Sequence, residues 1–296
     1  MAITRVTQNM MTRHSLDSLQ SGLGRMARLQ EQLSTGRVLN RPSDSPTGAT
    51  TAMRLRDNLS ATRQYQRNAQ DGLAWLGTID ATLTSVTDQT RAARDIALQG
   101  ANSVAMSPAS RQALATTVAQ LREGLLASAN TTHLGRPVFG GITAGTVAYD
   151  ASGTFVGQAG EVRRTVAEGV TVRVDADAAA VFGPAGDSVL NHLDDLTTAL
   201  QSGTEADIRA QVDRLNTDLE RITTARAEAG TRYKQVETAN QTAADAELRL
   251  RTSLSEVENA DLPQVIVDLK MQETAYQAAL ASTARVMQPS LLDFLR

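Results

Sequence analysis

From Ile208 to Val257 apolar residues return at alternating steps of four and three. The series is Ile208, Val212, Leu215, Leu219, Ile222, Ala229, Tyr233, Val236, Ala243, Leu250, Leu254 and Val257, broken at Arg226, Asn240 and Glu247. A heptad kept this long predicts one long helix in coiled-coil-like packing. At 1.5 Å per residue it would reach about 75 Å. Glu228 with Arg232 and Glu247 with Arg251 stand four apart in the favourable order on its surface. The register slips at residues 259–263, where Asp261 is a good N-cap and Pro263 fits only a first turn. A new helix is expected there, with the stripe Leu262, Ile266, Leu269, Tyr276, Leu280 and Met287, stopped by Pro289.

The amino end carries a matching stripe in Leu16, Leu19, Leu23, Met26 and Leu33. Pro42 and Pro46 break that helix, and a second one follows with Leu76, Ile79, Leu83, Val86, Ala93 and Ala97 on one face. Ser107 before Pro108 reads as the cap and first residue of a third helix bearing Leu114, Val118, Leu121 and Leu125. Between 134 and 186 the period changes to two: Val170, Val172 and Val174 alternate with Thr171 and Arg173, and residues 149–153 read as a turn. A further helix with Val189, Leu193, Leu196 and Leu200 leads out to Gly203. The expected fold is mainly α, with long coiled-coil-like helices from both chain ends and a small inserted β-rich domain. Residues 1–48 with 258–296 would form a terminal coiled-coil domain, 49–134 with 187–257 a helical rod, and 135–186 the insert.

Charge sharpens this picture. Residues 1–41 hold six arginines against Asp17 and Glu31, a net of +4; residues 255–296 hold six acids against Lys270, Arg285 and Arg296, a net of −3. Opposite charge and matching stripes favour pairing of the two ends, weakly, because salt screens surface charges. The 296 residues are 41% hydrophobic but 3% aromatic, which suits helical seams better than a ring-lined pocket. A net charge of −3 argues against a dedicated nucleic-acid binder. The absence of cysteine removes disulfides, thiolate nucleophiles and Cys-based metal sites. No window is apolar enough to suggest a membrane span, and no signal-like apolar stretch opens the chain, so composition alone suggests a cytosolic protein.

Candidate chemistry is sparse. Gly22, Gly24 and Ala27 match a G-x-G-x-x-A fingerprint, but within a helical stripe and with no strand before it, so it reads as chance. His14, His133 and His192 share no metal-binding spacing and read as ordinary surface or capping histidines. No nucleophile elbow, phosphate loop or carboxylate pair stands out; no catalytic residue, metal ligand or cofactor is expected. The strongest functional signal is the apolar surface of the ends, including Leu291, Leu292, Phe294 and Leu295 close to the carboxyl terminus. A monomer gains little from such exposed hydrophobes, whereas an assembly buries them.

Several stretches carry a resemblance: TRVTQNMM (residues 4–11), LQEQLSTGRVLNRPSDSP (29–46), YQRN (65–68), GRPVFGG (135–141), ARAEAGTR (225–232) and QPSLLDFL (288–295). They resemble flagellin-like proteins, and within that family the hook-associated subunits that join hook to filament. The resemblance implies ends that fold together, an outer β-rich middle, and termini that are unfolded in the monomer and order on assembly. It implies export through the flagellar type III apparatus to an extracellular site, reversing the cytosolic expectation. It implies a ring of copies on the flagellar lattice, with the first hook-associated protein and flagellin as neighbours and an export chaperone on the carboxyl end. The expected assembly interface is Leu16, Leu19, Leu23, Met26 and Leu33 with Ile266, Leu269, Leu280, Met287, Leu291, Leu292, Phe294 and Leu295. Flagellin itself and a helical coiled-coil signalling protein remain the alternatives.

Overall fold

The computed structural model describes residues 8–102 and 107–286. In chain order the elements are α1 (Gln8–Thr35), α2 (Pro46–Ala101), α3 (Pro108–Ala129), β1 (Thr132–His133), β2 (Arg136–Pro137), β3 (Arg163–Ala167), β4 (Val170–Arg173), α4 (Ala178–Phe182), α5 (Val189–Ser202), α6 (Glu205–Glu258) and α7 (Leu262–Val286). The chain is mainly helical with a small β insert, as its periodicities predict. Contacts divide it into two compact units, one of the described residues up to 60 together with those from 248, the other of residues 61–247.

In the 61–247 unit, α2 and α6 run antiparallel. Asp80 accepts from Arg226 Nε at 2.8 Å and Glu247 accepts from Arg63 Nε at 2.8 Å, so positions rise on one helix as they fall on the other. Two of the three breaks in the α6 seam are therefore filled by charges that pair with α2. The rest of the seam is apolar: Leu76, Ile79, Leu83, Val86, Ala93 and Ala97 of α2 are buried, as are Ile208, Val212, Leu215, Ile222, Ala229 and Val236 of α6. Gly100 is required by close approach, since a Cβ there would stand 2.6 Å from Leu200 Cδ2. On the outer surface of α6, Glu228 and Arg232 pair at 3.1 Å.

Helix starts follow local capping chemistry. Ser107 Oγ accepts from Ser110 N at 3.2 Å ahead of Pro108. Ser188 and Asn191 form a reciprocal capping box that opens α5. α5 packs on α3, with Val118 and Leu125 buried on one helix and Leu193, Leu196 and Leu200 on the other.

The insert holds less strand than its alternation suggests. β1–β2 and β3–β4 are two separate antiparallel hairpins, the second with a register shift between Thr165 and Ala167. Val172 and Val174 are buried as expected, but Val170 is exposed, at the end of β4 beside the turn that follows Ala167. The insert is tied to the helices by Asn130, whose Oδ1 accepts from Ala148 N (2.8 Å) and Tyr149 N (2.9 Å) while its Nδ2 donates to Tyr149 O (2.9 Å). The scarce rings gather here: Phe139, Tyr149, Phe155 and Phe182 meet in tilted or edge-on pairs with centroids 5.0–5.5 Å apart.

His192 corrects the sequence-based expectation of an ordinary surface or capping histidine. It is buried, with Nδ1 2.7 Å from Asp218 and Nε2 2.8 Å from Asp187. Two carboxylates on opposite ring nitrogens favour the imidazolium, and hydrogen bonding to Asp218 raises the His192 pKa above 6.5 in spite of burial, with Asp187 adding to the effect. Arg221 also pairs with Asp218, so α5, α6 and the turn before α5 share one charged knot. A raised folded-state pKa contributes stability that is complete below about 6.5 and is lost as pH climbs through the folded value. Urea unfolding of the purified chain should therefore show falling stability above about pH 6.5, and His192→Gln should remove most of that slope. An equal slope in both proteins would contradict the assignment.

Candidate assembly interface

The two terminal helices are brought together by the segments that connect them to α2 and α6. Gly36, at φ 69°, takes the left-handed turn that ends α1. Asp44 then gathers the next turn, accepting from Arg41 N (2.7 Å) and Asn40 N (3.2 Å). Ser45 Oγ accepts from Gly48 N (3.1 Å), so Pro46 falls at the first position of α2, where its missing N–H costs nothing. On the other side, Asp261 Oδ1 accepts from Gln264 N (3.3 Å), capping α7 as its sequence predicts.

A short backbone bridge joins the two connectors. Val38 N donates to Glu258 O (2.8 Å) and Ala260 N donates to Gly36 O (2.9 Å). Beside this bridge the Glu258 side chain is only 6% exposed and lies 2.7 Å from Arg56 and 3.9 Å from Arg37. A buried carboxylate needs such partners, since removing them would leave its charge desolvated and unpaired.

From this joint α1 and α7 run antiparallel and pack along their length. Gly22 is buried where the helices meet, and a Cβ there would make ordinary van der Waals contact, 3.4 Å, with Gln272 and Tyr276. Gln272 bridges the helices, accepting from Arg25 Nε (3.4 Å) and donating to Gly22 O (3.5 Å). The glycine fingerprint thus lies in mid-helix against another helix, which is no place for a phosphate. A shallow groove of about 420 Å³ follows the seam between Arg25, Arg28 and Gln32 on α1 and Asp268, Met271 and Ala275 on α7.

The expected interface residues separate into three groups. Leu269 is buried, and Leu19, Met26 and Leu33 are half-buried. Leu16, Leu23, Ile266 and Leu280 remain between 43% and 50% exposed. Met287, Leu291, Leu292, Phe294 and Leu295 lie outside the described residues. Sequence reasoning missed Gly22 and Val265 as buried contact points. It also missed a second apolar row on α7, Val267 and Met271, 54% and 64% exposed. The four-residue step between them was visible, but a larger stripe on the other face masked it.

Among the described residues no three His, Asp or Glu side chains converge to hold a metal ion, and no helix is long and apolar enough to cross a membrane. What the described residues of the terminal unit do present is apolar helix surface, at Leu16, Leu23, Ile266, Val267, Met271 and Leu280.

Comparison with known proteins agrees with this geometry. The family model described as the bacterial flagellin N-terminal helical region matches residues 6–143. Flagellar hook-associated protein 3 of Salmonella typhimurium is 26% identical over 325 residues, covering 99% of this chain and 100% of the relative. The protein of the same name from Escherichia coli K12 is 26% identical over 93% of this chain and 94% of its own length. Polar flagellin F of Vibrio parahaemolyticus is 32% identical, but over only 46% of this chain and 35% of that protein. In fold, Bacillus cereus FlgL superposes with a TM-score of 0.60 at 21% identity, over 68% of this chain and 99% of that one. The chain is thus similar to flagellar hook-associated protein 3 over nearly its whole length, and to flagellins over its amino-terminal part.

Proposed function

We propose that this chain is a structural subunit of the bacterial flagellum that joins hook to filament and receives the first flagellin subunits. One observation carries the reading: the terminal helices pair with each other yet leave Leu16, Leu23, Ile266, Leu280, Val267 and Met271 exposed. Helices with apolar residues beyond the stripe they bury suit a site inside an assembly. Likeness to hook-associated protein 3 over nearly the whole chain supports the junction in preference to the filament.

The assembly surface is proposed to comprise Leu16, Leu19, Leu23, Met26 and Leu33 with Ile266, Leu269, Leu280, Met287, Leu291, Leu292, Phe294 and Leu295. Its neighbours would be copies of this chain in a ring, the first hook-associated protein on the hook side and flagellin on the filament side. Before export through the type III apparatus to the cell exterior, a chaperone would hold the carboxyl end. The terminal segments, 1–48 and 258–296, would order on assembly, coupling their folding to binding. The role is structural and calls for no catalytic residue or cofactor.

Leu280→Asp tests this directly. Leu280 is 43% exposed, so the change should leave thermal unfolding of the purified chain nearly unaltered. In an assembled contact it would replace a buried leucine, worth roughly 1.5–3 kcal/mol, and incorporation into isolated flagella should fall at least about tenfold. Wild-type incorporation would sink the proposed surface. Limited proteolysis supplies a second test. The monomer should lose both terminal helices first and leave a resistant body close to residues 61–247. Resistant ends with a cleaved middle would instead favour the coiled-coil signalling alternative.

A further inference from the structure

His192 stands where three pieces of the chain meet. It belongs to α5, Asp218 and Arg221 come from α6, and Asp187 comes from the turn of residues 183–188 that leads into α5. Asp218 and Asp187 are the carboxylates that pair with the imidazole among the described residues. Arg214 of α6, paired with Asp195 at 2.9 Å, acts on Asp187 from farther off. From α3, which packs on α5, Arg122 reaches Asp194 at 2.7 Å.

An ionised carboxylate can only accept hydrogen bonds, so donation from both ring nitrogens requires the imidazolium. The two bonds differ in their surroundings. The Asp218 side chain is 1% exposed, whereas that of Asp187 is 70% exposed. When the proton leaves, one N–H remains on the ring. Kept on Nδ1, it goes on serving Asp218, which Arg221 also holds. Moved to Nε2, it would leave a buried carboxylate oxygen facing a lone pair, with no water to replace the lost bond. Asp187 is open to hydration, so its bond is the one given up. Nε2 then turns a lone pair toward the Asp187 carboxylate, and repulsion replaces attraction.

The turn has little else to hold it. Residues 184–187 are exposed, and the Asp187 bond to His192 is the one side-chain hydrogen bond made from residues 183–187 among the described residues. The Asp187 N–H reaches only Pro184 O, at 3.1 Å within the turn itself. Residues 183–186 also line a cavity of about 450 Å³, whose wall includes Phe139, Tyr149 and Phe155. We propose that His192 and Asp187 form a proton-operated latch: the turn of residues 183–188 stays closed against the cavity while the imidazole is charged, and is released when its proton is lost. The raised His192 pKa sets the release on the alkaline side of the ordinary histidine value of about 6.5. The latch lies wholly within the 61–247 unit and does not depend on the assembly role.

The chain has no cysteine, so Ala185→Cys places a single nitroxide spin label on the exposed turn of the purified full chain. The ratio of mobile to immobile components in its spectrum should rise at least about tenfold as His192 loses its proton, the effect of one charge-assisted hydrogen bond. The midpoint should equal that of the His192 titration followed by NMR. In the same background Asp187→Asn should stay immobile at every pH, because its amide accepts from the imidazolium and donates to the neutral ring. Asp187→Ala should be mobile at every pH, and circular dichroism should show both variants folded like the parent. Equal mobility of the parent turn on the two sides of the His192 titration would overturn the latch. So would an Asp187→Asn turn that loosens with the parent's midpoint, an immobile Asp187→Ala turn, or a His192 that keeps its proton until the chain unfolds.

Discussion

Two helices laid side by side bury one stripe each, and the terminal unit carries more apolar surface than that arrangement can cover. Gly22, Val265 and Leu269 are buried where α1 and α7 meet, while Leu16, Leu23 and Ile266 stay half in water and Val267 and Met271 are exposed. Each half-exposed leucine or isoleucine forgoes about half of the roughly 1.5–3 kcal/mol that full burial supplies. The pairing of α1 with α7 is therefore both the local fold and an incomplete interface. The backbone bridge between residues 36–38 and 258–260, with Glu258 held by Arg56 and Arg37, fixes where that interface begins.

The other unit obeys the opposite logic. Its long helices close their seam with Leu, Ile, Val and Ala, and the charges interrupting α6 are answered from α2 at Asp80 and Arg63. The insert is anchored by Asn130 and by a cluster of rings, and the His192 knot binds α5 to α6. A well-packed body beside under-packed terminal helices is the distribution of stability expected where one part must persist alone and another is completed by its neighbours.

Much of this was legible in the residues. The α6 heptad, the caps at Ser107 and Asp261, and Pro46 at the start of α2 all have local causes that act where the sequence places them, whereas α1 already ends at the left-handed Gly36, ahead of Pro42. What escaped was decided by contacts distant in sequence. Nothing near His192 announces Asp218, which is 26 residues away on another helix. The exposure of Val170 goes with its place at the end of β4, beside the turn and the register shift between Thr165 and Ala167, which alternation alone does not reveal. Gly22 was legible only as part of a chance glycine fingerprint in a helical stripe, and its contacts with Gln272 and Tyr276 lie about 250 residues away in sequence. At the interface, spacing identified Leu269 as readily as Leu16, yet it could not tell which would be covered within the chain.

The central claim is that this chain completes the junction on which a filament grows. The most direct measurement is an immunoblot for flagellin in the culture supernatant of a strain lacking the gene, alongside electron microscopy of the cells. The account predicts abundant monomeric flagellin in the medium and hooks without filaments. Filaments of normal length and number would contradict it.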